Sequence, residues 1–157
     1  MNYTIESYKT TESEKTENIK GHYVFDDRDL MEVILESEER LWINISELTH
    51  IKFSKEWYET WKEDLMLDDT KDSSSKKKIL RNYTHDYLYT VKLPYETIDN
   101  VVSHEMISNK GYFLITQKDG TRYLVNLNLN PLIHIGANWF ERQKAFVKED
   151  SQGQANI

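Results

Sequence analysis

The chain has 157 residues, 30% of them charged, a net charge of −7 and no cysteine. That length suits one ordinary domain, 1–157, with a core of its own. The missing cysteines exclude disulfides, thiolate nucleophiles and Cys-based zinc sites, and they fit a cytoplasmic setting.

Charge is uneven along the chain. Residues 1–69 hold 18 acids and 8 bases, a net of −10, whereas residues 70–157 hold 9 and 12, a net of +3. Such a balance makes a poor general binder of nucleic acid, which needs clustered Lys and Arg. No apolar run approaches the roughly 20 residues that span a bilayer. The Lys- and Asn-rich composition is of a bacterial or phage kind.

Residues 1–18 carry Thr, Glu, Ser and Lys with few apolar positions, which predicts a flexible lead-in. "GHYVF" (21–25) reads as a short strand closed by the turn-like "DDRD". "LMEVILES" (30–37) and "RLWINIS" (40–46) flank Glu38-Glu39 and predict a hairpin. Leu41, Ile43 and Ile45 alternate with Trp42, Asn44 and Ser46, the two-residue period of a half-buried strand. A helix through 30–46 is the competing reading, since Leu, Met and Glu favour one.

From Ser54 the period changes. Ser54 is placed as an N-cap, and Trp57, Trp61 and Leu65 share one face of a mid-chain helix near 54–66. "DDTKDSSSKKK" (68–78) has nothing to bury and predicts a mobile loop. "DYLYTVKL" (86–93) is a strand ended by Pro94, and "TIDNVVSHEMI" (97–107) a strand with a bulge. "GYFLITQ" (111–117) and "TRYLVNLNL" (121–129) flank Asp119-Gly120, a tight-turn pair. Asn130-Pro131 predicts the start of a helix near 131–148, with Leu132, Ile135, Trp139 and Phe146 as its apolar stripe. Residues 150–157 read as a disordered tail. No internal repeat is visible.

The chemistry-bearing motifs fail. "HEMIS" (104–108) opens like the H-E-x-x-H zinc helix but has Ser108 where the second His belongs. The five histidines, 22, 50, 85, 104 and 134, include no i, i+4 pair. The five glycines are dispersed, so no phosphate-cradling loop exists, and G-x-S-x-G is absent. His85-Asp86 are neighbours that a strand would point to opposite faces. No catalytic, cofactor-binding or metal-ligating residue is therefore assigned. The candidate partner-binding residues are the acids Asp26, Asp27, Asp29 and Glu32 with the aromatics Trp57, Tyr58 and Trp61, although packing onto the sheet is the commoner use of such tryptophans.

The run "KLPYETIDNVV", followed by "GYFLITQKDGTRYLVNL" and an amphipathic helix, resembles bacterial pleckstrin-homology-like (PH-like) domains. The resemblance covers about 60 residues of the C-terminal half. It implies an α+β fold, mainly an antiparallel sheet closed by a helix, and it makes 54–78 an insertion. It also implies an interaction or membrane-associated module without catalytic residues. The expected function is non-enzymatic protein binding or regulation. The alternatives are an acidic inhibitor, immunity protein or nucleic-acid mimic, and a small enzyme or ligand carrier. No cofactor is expected, and the expected partner is a protein.

Overall fold

The computed structural model describes residues 2–59, 87–107 and 109–145. Among the described residues there are ten strands: β1 (Tyr3–Lys9), β2 (Glu12–Phe25), β3 (Leu30–Leu35), β4 (Arg40–Asn44), β5 (His50–Phe53), β6 (Tyr89–Lys92), β7 (Thr97–Met106), β8 (Tyr112–Gln117), β9 (Arg122–Asn126) and β10 (His134–Ile135). They form one sheet in the order β10-β6-β7-β8-β9-β5-β1-β2-β3-β4. Helical residues follow β5 and β10, at 55–59 (α1) and 138–145 (α2).

That strand order is one motif used twice. In each half, four consecutive antiparallel strands form a meander and a fifth returns beside the first, β5 on β1 and β10 on β6. Residue n of the first half matches residue n + 82 of the second, as the backbone shows at several independent points. Positive φ recurs at Asn18 and Asn100, at Asp29 and Gly111, and at Glu38 and Gly120. The same bulges recur, with register shifts at Ile19/Gly21 and at Val101/Ser103. Short 3-10 turns at Ile45–Glu47 and Leu127–Leu129 are each capped by an asparagine, Asn44 and Asn126, whose side chain accepts from the second turn residue. Glu36 N–H reaches the Asn18 carbonyl, and Lys118 N–H reaches that of Asn100, both at 2.9 Å.

No repeat is visible by eye in the sequence, and here the structure overturns that reading. The matched pieces are short: "YTIE" and "YTVK", "ENI" and "DNV", "WYE" and "WFE". They drift in register too, because the β1–β2 hairpin is longer than the β6–β7 one. Tyr3 and His22 are 19 apart, whereas Tyr89 and His104 are 15 apart.

Each half centres a core. Tyr3, Ile5, Ile19, Met31, Val33, Ile45 and Phe53 form the first, which Tyr112 and Leu124 of the second half join, and Tyr89, Val91, Val101, Phe113 and Ile115 form the second. The predicted flexible lead-in 1–18 instead supplies β1 and the first half of β2. Alternation of buried Tyr3 and Ile5 with half-buried polar neighbours suffices to bury one face, so the polar composition misled.

The hairpin predicted within 30–46 is present, with Ile45 and Ser46 in a 3-10 turn instead of its second strand; the bulged 97–107 strand and the Asp119-Gly120 hairpin are present too, with positive φ at Gly120. The C-terminal helix does not begin at Pro131. Asn130 instead caps the preceding 3-10 turn from behind, and its buried amide donates to the Thr49 and Asn126 carbonyls at 2.9 and 2.7 Å. Ile135 then pairs with Val91 in β10, and the helix starts at 138. Residues 55–59 are helical as expected. The predictions for 68–78, 150–157, Trp61, Leu65 and Phe146 fall outside the described residues.

Candidate interaction edges and the joint between repeats

Three polar or aromatic arrangements stand out, and the repeat separates them into kinds. The first occurs twice. Tyr3 Oη lies 2.6 Å from His22 Nδ1, and Tyr89 Oη lies 2.8 Å from His104 Nδ1. Each imidazole then leans on the tryptophan of its own helix: His22 and Trp57 have centroids 5.8 Å apart, His104 and Trp139 5.7 Å. Burial lowers both histidines, and the Arg122 charge helps to push His22 down to about 4. Burial also raises Tyr3 and Tyr89. A neutral imidazole accepting from a neutral phenol is the result. Since this set recurs wherever a helix meets its half of the sheet, its role is to seat the helix.

The second arrangement occurs once, where β5 of the first repeat meets β9 of the second. His50 is wholly buried, with Nε2 2.7 Å from Glu96 Oε2 and Nδ1 3.0 Å from Thr49 Oγ1. Its ring stacks on Tyr8 at 4.4 Å. Hydrogen bonding from His50 holds the Glu96 carboxyl below its ordinary value. Hydroxyl, imidazole and carboxylate in line is the arrangement of a nucleophilic triad. Here the hydroxyl is already engaged. Thr49 Oγ1 donates to the Tyr8 carbonyl at 3.1 Å and accepts from Thr10 N–H at 3.2 Å. The void beside His50, bounded by Ile45, Tyr112, Leu124 and Asn126 among others, has no space for a water molecule. This cluster clamps the two repeats together.

Other bonds cross the same joint. Asn126 donates to the Ser46 carbonyl at 3.1 Å, and the Arg122 guanidinium sits 4.5 Å over the Trp57 ring. Tyr58 packs so closely on the second hairpin that a Cβ at position 120 would stand 2.8 Å from its Cδ1.

The third arrangement is at the two ends of the sheet. Among the described residues, β4 and β10 each pair with one strand only. On β4, Trp42 is 73% exposed and Leu41 is exposed beside it. Trp42 Nε1 and Arg40 Nη1 both donate to Glu32 Oε1 at 3.2 Å, which lowers the Glu32 carboxyl, the Trp42 bond first. At the other end Leu132 on the approach to β10 and Phe140 on α2 are 76% and 56% exposed.

The sequence-derived candidates fare unevenly against this geometry. Tyr58 is almost wholly buried and offers no contact face, whereas Trp57 is half-buried, packed against His22 and under the Arg122 guanidinium. The Asp29 carboxylate accepts from Tyr112 Oη at 2.8 Å, and Glu32 is occupied by Trp42 and Arg40. Asp27 is exposed and its carbonyl accepts from Lys110. The Asp26 side chain and Trp61 lie outside the described residues. Trp42, Leu132 and Phe140 were missed as contact residues: alternation set Trp42 with Asn44 and Ser46 on the polar face, Leu132 was placed in the apolar stripe of the helix, and Phe140 lay outside that stripe. Among the described residues no three His, Asp or Glu side chains converge as metal ligands, and no helix is long and apolar enough to cross a membrane. Comparison with protein-family models, with curated proteins and with solved structures finds no match.

Proposed function

We propose that this protein is a non-enzymatic protein-binding module that takes its partner along the β4 edge. One observation carries the reading: β4, whose second ladder is open among the described residues, displays a tryptophan bonded to Glu32. An open edge offers main-chain hydrogen bonds, and the flanking apolar side chains select alternate residues of an added strand. Large exposed aromatics of this kind mark contact surfaces more often than solvent-facing ones. The buried polar groups support the same reading, because the reactive-looking His50 cluster is enclosed and satisfied. The PH-like resemblance is consistent with an interaction module, and the repeat extends it: 54–59 belongs to the closing helix of a first unit rather than to an insertion. An acidic inhibitor draws less support, since Asp29 and Glu32 bond within the chain.

The test is selection of extended peptides from a displayed library, with Trp42→Lys as the counter-target. Peptides that bind the wild type should lose at least about tenfold in affinity on the variant, whose melting temperature should stay unchanged. Selection of nothing, or of peptides indifferent to Trp42, would overturn the reading.

A further inference from the structure

The joint between the repeats has two faces. One is the β9 strand; the other is β5 with the helix behind it. Shifted by 82 residues, the first face is β4 and the second is β10 with α2. Among the described residues both shifted faces stand open, at opposite ends of the sheet. Residues buried at the joint therefore have counterparts that are exposed: Leu124 (3%) against Trp42 (73%), Tyr58 (4%) against Phe140 (56%). His50, wholly buried, corresponds to Leu132, also exposed.

Solvent gives no reason for these end positions to stay apolar. The outer faces of repeat arrays are ordinarily polar, because nothing stacks on them. Here Leu41, Trp42, Leu132 and Phe140 retain the character that a neighbouring repeat would bury.

We propose that the chain self-associates head to tail, with the β4 edge of one copy receiving the β10 and α2 end of the next. This rests on the reading of β4 as the contact edge and names its occupant as a second copy. The joint inside the chain sets the register, since it pairs Val125 with His50 and Arg122 with Phe53. Ile43 would then stand opposite Leu132, and Arg40 opposite Ile135. Charge does not oppose the contact: the described residues up to 59 carry a net −7 and those from 87 a net +1. The contact is heterologous, so it propagates into a ring or an open chain of copies rather than stopping at a symmetric dimer.

One residue holds the contact below the strength of the internal joint. Tyr58 sits where only a glycine fits, on Gly120, whereas Phe140 would meet Glu38, which has a Cβ. Glu38→Gly removes that obstruction. It should strengthen self-association at least about tenfold, as relief of an overpacked contact does.

Sedimentation velocity over a concentration series tests this with four proteins: the wild type, Glu38→Gly, Trp42→Lys and Leu132→Lys. The wild type should associate as concentration rises, and Glu38→Gly should do so at lower concentration. Trp42→Lys and Leu132→Lys should each stay monomeric alone yet form a one-to-one complex when mixed, because each retains the face the other has lost. A wild type and a Glu38→Gly variant that both remain monomeric to millimolar concentration would overturn self-association. So would a mixture of the two lysine variants that fails to recombine, which points to a symmetric contact instead. Peptide binding that still depends on Trp42 would then leave the β4 edge as a binding site for another protein.

Discussion

Gly120 and Glu38 occupy equivalent hairpin positions but should differ in their response to the same substitution. Gly120 has φ +98, and a Cβ there would stand 2.8 Å from Tyr58 Cδ1 and 2.9 Å from Tyr58 Cβ. Gly120→Ala therefore meets two penalties. Left-handed backbone costs an L-residue about 1–2 kcal/mol, and overpacking against a buried ring costs about 1–3 kcal/mol more. The sum is about 2–5 kcal/mol. With a urea slope of about 1–3 kcal/mol per molar, the unfolding midpoint should fall by roughly 1 M or more. Glu38 has φ 72 and already carries a Cβ, exposed to solvent, so Glu38→Ala should leave the midpoint close to that of the wild type. Both are measured by urea titration with circular dichroism and tryptophan fluorescence. Equal midpoints for the two alanine variants would refute the packing of α1 on the second hairpin, and with it the account of the joint.

Acid should destabilise the fold through His22. Its folded value is about 4 and its unfolded value about 6.5, so the unfolded chain takes the proton first. The stability this contributes is complete above pH 6.5 and is lost as pH falls towards 4, about 2 kcal/mol of it between pH 7.5 and 5. Denaturant titration at those two values should show the loss, and His22→Phe should shrink it; an unchanged difference would remove His22 as the cause. A second comparison uses the two caps. Asn126→Ala loses a cap and leaves the Ser46 carbonyl without its buried donor, about 2–3 kcal/mol, whereas Asn44→Ala at the exposed end loses only the cap, about 1 kcal/mol. Thermal melts distinguish these. Glu96→Gln removes the charged acceptor of His50 and should cost about 1–3 kcal/mol, with the His50 ring resonances shifted in NMR spectra.

Much of the sheet was legible in the residues. Alternation at Leu41, Ile43 and Ile45 and the Asp119-Gly120 turn are local signals, and they specified two of the hairpins. The duplication was not legible, because it is carried by backbone conformation at sites such as Asn18 and Asn100, where the residue type alone says little. Pro131 misled for a related reason. An Asn-Pro pair before apolar residues reads as a helix start, yet the Asn130 side chain is drawn into the joint by the Thr49 carbonyl, a partner 81 residues away. The exposed edges could not be read from pattern, since Trp42 and Phe140 occupy positions that are core in the other repeat. Exposure there depends on which repeat comes last, a property of the whole sheet.

The β5 strand has a consequence for how the chain folds. Six of the eight other ladders among the described residues join strands adjacent in the chain, and the remaining two, β1–β5 and β6–β10, stay within one half; adjacent pairing forms early because little loop entropy is lost. The β5–β9 ladder, from His50 to Val125, joins distant segments and unites the halves. Each half could then condense around its own core before docking, with the joint deciding whether unfolding is one transition or two. Weakening His50, Glu96 or Asn126 should pull apart the curves reported by the Trp57 and Trp139 surroundings. A substitution inside either core should instead move both curves together until the joint itself gives way.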